Sequence, residues 1–260
     1  MSDALKGLHF PHELDPVRAA QVGLIVLQSD ETIETDFRQL MPPELELLIS
    51  RIPSGAEVTP DTLAAMEGYM TASAALFPQG ADLAAVGYGC TSGTAQIGAA
   101  QVAARIRKAI DVPQVTEPVS ALIAACRSLG VRRLAMLSPY LPEVSERLRE
   151  VLAAAEIDTP VFGSFEIEEE ARVVRISASS IVEAGAALIA QAPVPVDALF
   201  LSCTNLRALP AIDALEAATG MPVLASNSVL AWHLARLAGQ QARGPGRLLR
   251  ASPPPLRAAE

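Results

Sequence analysis

The 260-residue chain carries three cysteines, and two of them stand where a thiol could become reactive. Cys90 lies in GYGCTSGT and Cys203 in LSCTNLRA. The glycines around Cys90 let the backbone turn tightly, and Thr91, Ser92 and Thr94 then offer N–H and hydroxyl donors at the expected start of a helix. Such a loop suits an anion. The same positive helix end stabilises a thiolate, the nucleophilic form of cysteine. Cys203 repeats the setting with Ser202, Thr204 and Asn205 as donors. A single cysteine after an apolar strand is more often a small buried hydrophobe, but one Cys-Thr context occurring twice favours chemistry for the pair. Cys126, in SALIAACRSLG, falls on a helical stretch with no donor-rich turn and reads as core packing. His233, in LAWHLARL, reads as a helix-face residue beside Trp232. The run at Glu168, Glu169 and Glu170 reads as a solvated face or helix start, the alternative being that one member faces a cleft. Three widely spaced cysteines build no disulfide framework, and with no CxxC or HxxxH pair no metal site is expected.

Elements that could position these thiols follow from the apolar period, which alternates between short unbroken runs and long amphipathic stretches. That is the pattern of parallel strands and crossover helices, so the fold class is α/β. Strands are expected at 21–27, 83–88, 114–115, 133–137, 159–162, 198–201 and 222–224. Helices are expected at 60–76, 93–110, 118–129, 142–155, 177–191, 208–219 and 226–237. Cut near residue 125, the chain repeats itself: VGLIVLQSD from Val22 matches RRLAMLSPY from Arg132, the Cys90 segment matches the Cys203 segment, and VPQVTEPVSAL matches MPVLASNSVLA. Leu27 precedes Cys90 by 63 residues, and Leu137 precedes Cys203 by 66. The expected organisation is an N-terminal α/β half over 15–124, a C-terminal half over 125–240, and a disordered tail over 241–260 rich in Pro, Gly and Arg. Ligands of open α/β sheets bind at the carboxyl ends of the strands, so two facing halves would bring both thiols to one cleft.

Composition narrows the partners. The net charge is −9 and half the residues are apolar, which opposes binding to nucleic acid or an anionic membrane surface. The first twenty residues lack the features of a secretory signal, and no apolar run reaches membrane-spanning length. A soluble, cytoplasmic protein is expected.

GYGCTSGT with SCTNLRA, the opening VGLIVLQSDETIE and the segment LSPYLPEV resemble the aspartate/glutamate racemase superfamily, in its branch of maleate cis-trans isomerases and arylmalonate decarboxylases. The resemblance covers residues 18 to 240. It implies two pseudo-symmetric Rossmann-like halves, a cofactor-independent active site between them, a small carboxylic-acid substrate, and a homo-oligomer. It implies that Cys90 is the nucleophile and Cys203 its acid/base partner. Thr91, Ser92, Thr204 and Asn205 match carboxylate-binding positions, and Tyr140 matches a substrate-bonding tyrosine; Gln28, Asp30 and Glu170 complete the candidate substrate-binding set. Of the two cysteines the arylmalonate decarboxylases keep only the second and have glycine at the first, so the resemblance at Cys90 favours isomerisation. Maleate isomerases place asparagines where this chain has Asp30 and the 168–170 glutamates. An amide donates to a carboxylate, whereas an aspartate repels one unless protonated or paired with an amine. LQSDETIE is similar to ectoine-utilisation proteins of the branch, which points to an amino- or amido-bearing acid. Asp30 has a second reading as a helix cap. The functions that stand are a two-cysteine isomerase, an amino-acid racemase or ectoine-degradation enzyme, an arylmalonate-type decarboxylase, and a non-catalytic carboxylate-binding protein.

Overall fold

The structure is a computed structural model that describes residues 8–16 and 18–251. It contains two four-stranded, all-parallel sheets flanked by helices. The first has the order β2-β1-β3-β4, formed by β1 (Ala20–Leu27), β2 (Leu45–Ile52), β3 (Leu83–Gly89) and β4 (Gln114–Thr116). The second repeats that order as β6-β5-β7-β8, with β5 (Arg133–Ser138), β6 (Asp158–Ser164), β7 (Ala198–Leu201) and β8 (Val223–Ala225). Central strands are apolar because both faces are covered: Leu24, Ile25 and Val26 on β1 and Leu134, Ala135 and Met136 on β5 are fully buried. Each large aliphatic side chain so buried contributes about 1.5–3 kcal/mol.

The α/β expectation and the duplicated plan hold, and the differences have local causes. The stretch 60–76 is two helices, α2 (Pro60–Ala65) and α3 (Glu67–Ala74), after α1 (Ile33–Leu40). The expected helix 93–110 is divided into α4 (Thr91–Ile97) and α5 (Ala99–Arg107) at Gly98, whose φ of 93° ends α4 in a conformation that suits glycine. Then follow α6 (Pro118–Leu129), α7 (Pro142–Ala154), α8 (Glu170–Val173), α9 (Ala178–Ala190), α10 (Leu209–Thr219) and α11 (Ser226–Leu237). Although α11 comes last in the second repeat, it packs on α6, β3, β4 and α1 of the first.

The expected tail is ordered as far as the description reaches. Residues 247–250 form α12 (Arg247–Arg250), with Leu248 and Leu249 buried. The buried Glu216 carboxylate accepts from Val223 N (3.0 Å) and Arg247 N (2.9 Å), and Asp213 Oδ1 accepts from Gly246 N (2.9 Å). Two leucines and these acidic anchors outweigh the Pro, Gly and Arg content; residues 252–260 lie outside the described residues. Among the described residues no helix is long and apolar enough to cross a membrane.

Candidate active site

The carboxyl ends of β1, β3, β5 and β7 converge on one cleft. Cys90, Thr91 and Ser92 line it from the first half, and Tyr140, Glu170, Cys203 and Thr204 from the second. Leu27, Ser29, Ser54, Val58, Leu63 and Met66 add walls and hydroxyls. No Lys, Arg or His is among the lining residues; the polar groups there are hydroxyls, the two thiols and the carboxyls of Glu57 and Glu170. Among the described residues, no three His, Cys, Asp or Glu side chains gather to hold a metal ion.

Cys90 is the N-cap of α4, and its Sγ accepts from Gly93 N at 3.2 Å. This is the donor geometry expected from GYGCTSGT. A Cβ at Gly93 would lie 2.8 Å from that sulfur, so only glycine leaves the thiol its place. The expected thiolate stabilisation is outweighed by the burial of the sulfur. Burial pushes the Cys90 thiol up to about 12, with the Gly93 N–H lowering it and the Glu170 charge raising it further. Cys126, fully buried in the core on α6, is likewise raised to about 12, chiefly by burial.

Cys203 is not at a helix end, contrary to expectation, because α10 starts only at Leu209. Its φ of 108° is uncommon for a residue with a Cβ, and it lets Sγ accept from Asn205 N at 3.2 Å within a loop. The Tyr140 hydroxyl lies 2.9 Å from Cys203 Sγ and donates to Glu170 Oε1 at 2.7 Å. Glu170 Oε2 accepts from Asn205 Nδ2 at 2.7 Å. An antiparallel bridge between Glu57 and Glu169 holds this glutamate, with Glu170 N donating to Ala56 O at 3.1 Å. Of the three glutamates at 168–170, Glu170 is therefore the buried one that reaches the cleft. Burial raises Glu170, Tyr140 and Cys203 above their ordinary values.

The other sequence candidates lie behind or outside the lining. Gln28 is exposed, because it continues β1 past its last buried residue; its N–H donates to Ile52 O at 2.9 Å. Asn205 sits beneath the cleft, its Oδ1 accepting from Glu31 N at 2.9 Å. Asp30 is buried, with Oδ1 accepting from Thr32 N and Ile33 N (2.8 Å each) ahead of α1, which is the cap geometry. Its Oδ2 is buried without a hydrogen-bond partner, and burial raises its pKa.

Ser226, at the start of α11, was missed from sequence. Its Oγ accepts from Thr91 Oγ1 (2.8 Å) and from Cys203 N (3.0 Å), fastening the two thiol loops together. Thr204 Oγ1 adds a bond to Gly89 O at 3.2 Å. Next to Ser226, Asn227 Nδ2 donates to Thr204 O (2.8 Å) and Asp36 Oδ2 (2.7 Å). The repeat aligns this segment with VTEPVS, where glutamate stands in place of Ser226; only the polarity of SNS inside an apolar run signals a buried polar role.

Two like-ordered parallel sheets, each delivering a cysteine to one cleft, define an α/β protein of duplicated plan with a paired-thiol site. The sequence profile of arylmalonate decarboxylase matches residues 22–249, and the chain belongs to that family. It is 32% identical over 234 residues to arylmalonate decarboxylase of Bordetella bronchiseptica, covering 87% of this chain and 95% of that one. It is 27% identical over 252 residues to maleate isomerase of Nocardia farcinica, covering 88% and 95%. The fold superposes on a liganded variant of arylmalonate decarboxylase with a TM-score of 0.79 at 30% identity, covering 88% and 98% of the two chains.

Proposed function

We propose that the protein is a cofactor-independent isomerase of a small carboxylic acid, working through Cys90 and Cys203. The observation that carries this reading is the presence of both thiols in one cleft, each with a backbone N–H on its sulfur. In the mechanism, Cys90 as thiolate adds to one carbon of an activated double bond while the other carbon takes a proton from Cys203. The former double bond turns as a single bond. Cys203 then removes the proton, the Cys90 sulfur leaves, and both thiols return to their starting states. The hydroxyls of Ser92, Ser29 and Ser54 hold the substrate carboxylate, the Thr91 hydroxyl being given to Ser226 Oγ, and burial keeps water from the adduct. A charge that develops on Cys90 Sγ meets Gly93 N–H, which is already in place. Cytoplasmic location and assembly as a homo-oligomer belong to the same proposal; sedimentation of the purified chain measures the second.

Decarboxylation is the second reading, favoured by the 32% identity to arylmalonate decarboxylase. The deciding experiment incubates the protein with maleate, small amino- and amido-acids, and phenylmalonate, following the products by NMR. Isomerisation or racemisation that disappears in Cys90→Ser supports the proposal. Release of carbon dioxide from phenylmalonate with no isomerised product overturns it.

A further inference from the structure

The hydrogen bonds around Cys203 fix more than its position. Glu31 N–H donates to Asn205 Oδ1 at 2.9 Å, so the Asn205 amide must present its Nδ2 to Glu170. That donor occupies Oε2 and leaves Oε1, 2.7 Å from the Tyr140 oxygen, as the one carboxylate atom able to take or give a proton along this chain. A tyrosine hydroxyl has one proton to donate. When Glu170 is ionised, Tyr140 donates to Oε1, and its oxygen accepts from the Cys203 S–H at 2.9 Å. When Oε1 carries the proton, both bonds reverse and Tyr140 donates to a Cys203 thiolate.

The geometry points to Glu170 as a positioning residue that exchanges a proton with Cys203 through the Tyr140 hydroxyl. In the transfer, the Cys203 S–H bond breaks as an O–H bond forms on Tyr140. The original Tyr140 proton passes to Glu170 Oε1, so charge and atoms balance within the protein. The relay thereby sets whether Cys203 meets the substrate as thiol or thiolate without solvent reaching it. The titratable groups facing Glu170 are Tyr140 after β5, Cys203 after β7, Cys90 ahead of α4 and Asp30 after β1, with Glu57 lining the same cleft from the segment bridged to Glu169. On its own turn, Glu169 pairs with Arg172 at 4.0 Å. The relay rests on reading Cys203 as the proton-transferring thiol, yet it can be measured without substrate.

The test is the pH dependence of Cys203 alkylation in the full chain, resolved from Cys90 and Cys126 by peptide mass spectrometry. In Glu170→Gln, the side-chain amide turns the Tyr140 proton toward sulfur. The alkylation midpoint then falls by about one pH unit, read as roughly tenfold faster reaction below the midpoint. In a Tyr140→Phe background the same substitution loses the larger part of that shift. An absent shift, or a shift that persists in full without the tyrosine, overturns the relay. Glu170→Asp keeps the charge but withdraws it by one methylene; a fall of the midpoint there supports the relay, and none overturns it. Inactivity toward every acid tested, with these shifts present, would reject the isomerase reading and leave the relay standing.

Discussion

The first half delivers Cys90 on the first turn of a regular helix, whereas the second delivers Cys203 on a loop at φ 108°, six residues ahead of α10. The strand order is the same in both, so the divergence lies in the ends of the strands. In the repeat, Asp30 corresponds to Tyr140 and Glu117 to Ser226. Asp30 and Glu117 are spent on helix starts, Glu117 Oε2 accepting from Val119 N (2.7 Å) and Ser120 N (2.9 Å). Tyr140 and Ser226 turn instead to Cys203, one on its sulfur and one on its N–H. Duplication thus supplied a symmetric frame, and the proton-handling groups gathered in one half.

The largest effect tests whether the two unlike settings form one unit. Cys90→Ser and Cys203→Ser are each expected to lower kcat by about a thousandfold or more, and the double variant to be no worse than the poorer single within about tenfold. Turnover assays on folded variants check this. A single variant keeping more than about a tenth of wild-type activity breaks the pairing of the halves.

Gly93→Ala sharpens the contrast on the Cys90 side. The new Cβ would meet Cys90 Sγ and Met66 Cε at 2.8 Å and Tyr88 Oη at 3.0 Å, so the thiol must move. Turnover is expected to fall by about tenfold to a hundredfold, since a displacement of about 1 Å costs on that order. Near wild-type turnover, with an intact thermal transition, would mean that the thiol has slack.

The tie between the halves is readable as a pH dependence of stability. Asp36 sits under α11, and burial raises its carboxyl to about 7 although Asn227 donates to it. Its folded value lies above the ordinary one near 3.8, so its contribution is fully present below about pH 4 and is lost as the pH rises through about 7. Asp36→Asn keeps an acceptor for Asn227 and should flatten the stability profile across that window, measured by denaturant unfolding at several pH values. An unchanged slope would show that this carboxyl does not titrate there.

The sequence disclosed the repeat, the parallel order of function-bearing strands and the meeting of both cysteines, because these depend on apolar period and spacing. It did not disclose β2, whose LELLISRI has a half-exposed pattern at the edge of the sheet and an unbroken apolar run of only three residues. Glu170 was legible only as one of three adjacent glutamates; the bridge to 56–58 that selects it is a contact between distant segments. The pKa of Cys90 went against its motif for a related reason. Donors after a cysteine can be read locally, but the depth at which the helix end is buried depends on the whole fold.

The smallest expected effect concerns Asp30, the counterpart of Tyr140. Its carboxylate caps the approach to α1 and is not among the cleft-lining groups, although its charge raises both Cys90 and Cys203. Asparagine caps about as well as aspartate, so Asp30→Asn should leave stability within about 1 kcal/mol. Maleate affinity by calorimetric titration should stay within about threefold, roughly 0.6 kcal/mol. The alkylation midpoints of both cleft cysteines should shift slightly downward, because a like charge has gone while the cap remains. Tenfold tighter maleate binding in the variant would place the Asp30 carboxylate against the substrate, making its position in the first half functionally equivalent to Tyr140 in the second.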